Sequence, residues 1–131
     1  MERRTLLTVI AALVIGFLLG FVHPYIGKRH AERHLRETRL ELRLARDQGR
    51  LGAALAESLR SNYERSRQLM TGVFTDLQGA QGQVTDARQR QAISGVLQQR
   101  DEIITLLSRG QPESSQRLMI LYTQMFTATD P

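Results

Sequence analysis

The chain has 131 residues, no cysteine, no tryptophan and a formal net charge of +5. Without cysteine there can be no disulfide, thiolate metal site or cysteine nucleophile, and Tyr63, Phe74, Tyr122 and Phe126 are too few aromatics for a bulky core after residue 50. Residues 1–50 carry ten Arg or Lys against five acids, while residues 51–131 carry eight against eight, so the basic excess is local and marks no nucleic-acid-binding domain.

After a short tail, residues 1–4, the segment 5–22 reads TLLTVIAALVIGFLLGFV, without a charge. As a helix at about 1.5 Å per residue it covers about 27 Å, close to the hydrocarbon thickness of a bilayer. No polar stripe marks it as a core helix, so the reading is a single transmembrane anchor. His23, Pro24 and Tyr25 follow where a signal peptide would need a small-x-small cleavage site. The two rings suit a membrane interface, and Pro24 is expected to interrupt the helix. The expected setting is a bacterial inner membrane crossed once. Arg3 and Arg4 precede the run, and Lys28, Arg29, Arg33, Arg36, Arg39, Arg43 and Arg46 follow it. The larger cluster narrowly favours a cytoplasmic body over a periplasmic one.

Residues 23–50 are read as a basic stalk helix. From Arg29 to Arg50 arginine recurs every three or four residues, which places the guanidiniums along one stripe. Most simply such a stripe is a solvated face. A sharper reading assigns Lys28, Arg29, Arg33, Arg36 and Arg39 to anionic lipid headgroups, at about 1 kcal/mol each near the surface. Nucleic acid is not an expected partner, since no aromatic side chain is available there to stack on bases. Glu32 with Arg36, and Arg43 with Asp47, have the spacing of helix ion pairs.

A second stripe of the same helix holds Leu40, Leu44, Leu51, Leu55 and Leu59, and it continues through Tyr63, Met70, Val73 and Leu77. One helix is therefore predicted over about 28–78, and this apolar series is its expected interface in a homo-oligomer. Gly49 and Gly52, among Ala53, Ala54 and Ala56, favour close helix packing over a hinge. The glycines at 79 and 82 predict a turn. Ile93, Val96, Leu97, Ile103, Ile104 and Leu107 share one face of a helix over about 85–109. Gly110 ends it, and Pro112 starts a last helix to about 127 that buries Leu118, Leu121, Tyr122 and Met125. The fold class is all-α: an anchor, a long amphipathic helix, and a small antiparallel hairpin or three-helix bundle over 51–131.

Little chemistry is on offer. All three histidines lie at or before position 34, which leaves no Ser-His-Asp set in the body. Nor is there a phosphate-cradling glycine loop. His30 and His34, one turn apart, could share a Zn2+, Ni2+ or Cu2+ ion, but Arg29 and Arg33 would repel it and no third ligand stands out. No enzyme and no cofactor are expected. In layout alone, an N-terminal span joined to helices, the chain resembles the membrane-anchored helical metal sensors and chaperones of the bacterial periplasm. Their repeated Leu-Thr-x-x-Gln elements are absent, and Met119 and Met125 lack an accompanying His. The expected function is a non-catalytic, membrane-anchored scaffold that binds copies of itself or a membrane protein. The resemblance implies, as the alternative, a tethered periplasmic metal sensor or chaperone of the envelope-stress type.

Overall fold

The computed structural model describes the backbone of residues 2–129 and the side chains of residues 10, 12–15, 17 and 31–126. Its elements are α1 (Glu2–Leu59), α2 (Tyr63–Gln81), α3 (Ala87–Gln98), α4 (Arg100–Ser108) and α5 (Glu113–Thr129). Among the described residues there is no strand, so the all-α expectation holds. Two compact units divide the chain, Met1–Thr38 and Arg39–Pro131.

The first unit is helix throughout its described length. Here the membrane expectation is corrected. Among the described residues no helix is long and apolar enough to cross a membrane, which overturns the single-pass inner-membrane placement. A span needs about twenty consecutive apolar residues. Within 5–22 the described side chains are those at 10, 12–15 and 17, and the others of that run lie outside the described residues. Pro24 does not end the helix either, since α1 runs 58 residues through it. Proline removes one backbone hydrogen bond, a loss that a long helix can absorb.

In the second unit α1 enters a bundle. Ser66 Oγ on α2 donates to the carbonyl of Ala54 at 2.7 Å, and Arg50 reaches Asp76 on α2 at 2.6 Å. These contacts run in opposite order along the two helices, so α1 and α2 are antiparallel. On its other flank α1 meets α5, with Ser58 hydrogen-bonded to Ser114 and Gly52 beside Tyr122. The α3–α4 pair joins α5 through Gln99 with Gln124 at 2.7 Å and Glu102 with Arg117 at 2.9 Å, and both members pack on α2. The result is an up-down-up-down ring of four members, with α3 and α4 together forming one of them.

The core is aliphatic apart from Phe74. Leu44, Leu51, Ala54, Met70, Val73, Leu77, Ile93, Val96, Ile103, Leu107, Leu118, Leu121 and Met125 are buried with it. The faces read from spacing on α3, α4 and α5 are the buried ones. Gly52 shows why a small residue is needed, because a Cβ there would stand 3.3 Å from the Tyr122 ring.

The helix predicted over 28–78 is broken at residues 60–62. Ser61 takes φ +62, Asn62 N–H donates to the Glu57 carbonyl at 2.9 Å and Ser61 N–H to Ser58 at 3.0 Å. This paired pattern caps a helix C-terminus and usually takes glycine at the left-handed position. Asn62 Nδ2 also donates to the Glu57 carboxylate at 2.7 Å. Gly110, at φ +63, uses the same device: its N–H and that of Gln111 donate to the carbonyls of Leu107 and Leu106. The helix predicted over 85–109 bends at Gln99, whose side chain donates to the Gly95 carbonyl. At the glycine-containing turn, α2 persists to Gln81, and the Asp86 carboxylate then accepts from the N–H groups of Arg88 and Gln89 to open α3.

Candidate functional site

Two polar groups are buried on the bundle face of α1. Near the end where α1 enters lies Asp47, three residues after Leu44 and four before Leu51, which puts it on their buried face. Its side chain is 2% exposed, and neither carboxylate oxygen has a hydrogen-bond partner. Arg50 Nη1 lies 3.6 Å from Asp47 Oδ1 and donates to Asp76 Oδ2 at 2.6 Å. One guanidinium nitrogen thus lies near both carboxyl groups and hydrogen-bonds only that of Asp76. Arg43, the ion-pair partner expected from spacing, is exposed. Burial, then the Asp76 charge, pushes the Asp47 carboxyl up from 3.8 to about 6, against the weaker pull of Arg50 and Arg46.

Three turns further along α1, Ser58 is buried, and its hydroxyl is 2.8 Å from both the Ser114 and the Ser115 hydroxyls at the start of α5. Each hydroxyl can donate and accept, so this cluster satisfies itself without charge. Ser66 beside it is satisfied by the Ala54 carbonyl.

The residues singled out from sequence fall into three groups. Leu44, Leu51, Met70, Val73 and Leu77 are at most 1% exposed in the single chain. Their assignment to an oligomer interface is corrected: they fill the chain's own core, and a side chain with no accessible surface cannot meet a second copy. Leu40, Leu55 and Tyr63 are half-buried against that core, and Leu59 is exposed. In the basic group Arg33, Arg36 and Arg39 are exposed, while the side chains of Lys28 and Arg29 lie outside the described residues. His34 is exposed, with Nδ1 3.8 Å from a Glu37 carboxylate oxygen, and the side chain of its suggested metal-binding companion, His30, lies outside the described residues. Among the described residues no group of three or more His, Cys, Asp or Glu could hold a metal ion.

Sequence reasoning missed the opposite side of α1. Leu42 stands two residues before Leu44, about 200° round a helix, and is 64% exposed. Leu35, seven residues earlier, is 55% exposed. Glu41 and Arg46 flank Leu42 and are exposed too. The three-four spacing of Leu42, Ala45 and Gly49 was the available signal, masked by the arginines around it. Comparison of the chain with protein-family models, with curated proteins and with solved structures finds no match.

Proposed function

We propose that this chain is a non-catalytic helical interaction protein that associates with a second copy of itself along the outer face of α1. The observation that carries this reading is the 64% exposure of Leu42, on the side of α1 turned away from the core stripe of the second unit. Leu42, Ala45 and Gly49 follow the three-four spacing that two α-helices bury against each other in a coiled coil, and the two small residues allow close approach. Charge complementarity favours a parallel pair. Glu41 precedes one seam position and Arg46 follows the next, the five-residue offset at which side chains of parallel helices meet across the seam. The reading replaces the apolar series from Leu40 to Leu77, most of which the core consumes.

Sedimentation of the full chain over a range of concentrations tests it. Dimer formation that weakens with Leu42→Glu is expected. Glu41→Arg should also weaken it, and the double change Glu41→Arg with Arg46→Glu should restore it. A chain that stays monomeric at high concentration, or a dimer indifferent to Leu42→Glu, would sink the proposal.

A further inference from the structure

The α1 seam leaves the Asp47 cluster without a role. We propose that Asp47, Asp76 and Arg50 form a pH-operated clamp between α1 and α2, closed while Asp47 carries a proton and loosened when it loses it. The geometry sets up the two states. Asp47 is 2% exposed and neither of its oxygens accepts a hydrogen bond, so the ionised form is buried without a donor, the costly condition for a carboxylate. Arg50 does not supply the missing bond: its Nη1 donates to Asp76 at 2.6 Å and stands 3.6 Å from Asp47, beyond hydrogen-bond reach. A proton on Asp47 changes the arithmetic. The carboxyl can then donate to Asp76, which accepts from Arg50 as well, and one carboxylate ties both α1 groups to α2.

The charged groups acting on Asp47 are Asp76 from α2 and Arg50 and Arg46 from α1 itself. Burial and Asp76 outweigh the two arginines, so the proton is lost at about pH 6 instead of near 3.8. The location gives the change a consequence. Leu44, one turn before Asp47, is the first buried side chain among the described residues of α1, so the clamp holds the point where α1 enters the bundle.

Hydrogen exchange of the full chain at pH 5 and pH 7.5, corrected for intrinsic exchange rates, reads the clamp directly. Amides over about 44–51 are expected to lose roughly tenfold in protection between pH 5 and pH 7.5, since at pH 5 the opened carboxyl is already ionised and the folded one is still protonated up to about 6. Asp47→Asn should hold high protection at both values. Asp76→Asn, which removes the like charge but not the burial, should keep a transition and move it to lower pH. A carbon-detected NMR titration of the unsubstituted chain adds a readout that needs no variant, and a midpoint near 6 for the Asp47 carboxyl is expected. Equal pH dependence in the parent and Asp47→Asn, or an Asp47 midpoint near 4, would overturn the proposal.

Discussion

Asp47 and Ser58 sit three turns apart on the same face of α1, both buried, and they solve the problem of an interior polar group in opposite ways. Ser58 is neutral and finds two hydroxyl partners at 2.8 Å. Asp47 is ionisable and finds none. A satisfied neutral cluster costs little and is indifferent to pH, whereas an orphaned carboxyl ties stability to the proton. The difference shows that burial alone does not decide whether a polar group is a strut or a liability; its inventory of donors and acceptors does.

This contrast can be broken or sharpened by substitution. The apolar layer between the two sites is the yardstick, and Phe74→Ala should have the largest effect, a loss of about 3–5 kcal/mol in denaturant unfolding at any pH. Asp47→Asn is expected to act in the other direction. The folded chain holds the Asp47 proton up to about pH 6, against 3.8 for an ordinary carboxyl. The protonated form therefore contributes fully below about pH 4, and its contribution is lost as pH rises through 6. Above that the ionised group costs about 3 kcal/mol. Asparagine should thus stabilise the bundle by about 2–3 kcal/mol at pH 7.5 and hardly at all at pH 4, as measured by urea midpoints across the range. A parent chain whose stability does not rise on acidification from pH 7.5 to 5 would erase the contrast.

Ser58→Ala probes the neutral site. It leaves the Ser114 and Ser115 hydroxyls without their shared partner and should cost about 1–2 kcal/mol, with the same value at pH 4 and 7.5. Smallest is Ser61→Gly. The left-handed conformation at φ +62 is strained for a residue with a Cβ, and glycine there should raise stability by about 0.5–1 kcal/mol, seen as a small upward shift of the thermal midpoint. A destabilising outcome would mean that Ser61 makes a compensating interaction.

Much of the bundle was legible because its signals are local. Ile93, Val96, Ile103 and Leu107 recur at helical spacing, and Gly110 supplies the conformation that ends α4. The break at Ser61 was not, because it uses no glycine or proline; it is held by Asn62 and Ser61 donating to the carbonyls of Glu57 and Ser58, a pattern that composition does not announce. Asp47 was hidden by its surroundings. Set among the arginines of the stripe, it reads only as an ion-pair partner of Arg43, although its place between Leu44 and Leu51 puts it on the buried face. The apolar stripe itself was found, but its use was misjudged: Leu51, Met70, Val73 and Leu77 lie inside one chain because the Ser61 turn folds α2 back onto α1, so no second copy is needed to cover them. The apolar run at 5–22 was read from composition alone, and no described helix meets the length and apolarity of a span.

Tyr63 rests against Gly110, its ring 3.4 Å from where a Cβ would stand, and so fastens the Ser61 and Gly110 turns to each other at one end of the bundle. That end is stitched shut, with every chain passing through it reversed within three or four residues. Fraying must then start from the other extremity, where the 82–86 loop, the close of α5 and the ionisable Asp47 gather. A limited protease should find its first cuts there, sooner in alkaline than in mildly acidic buffer.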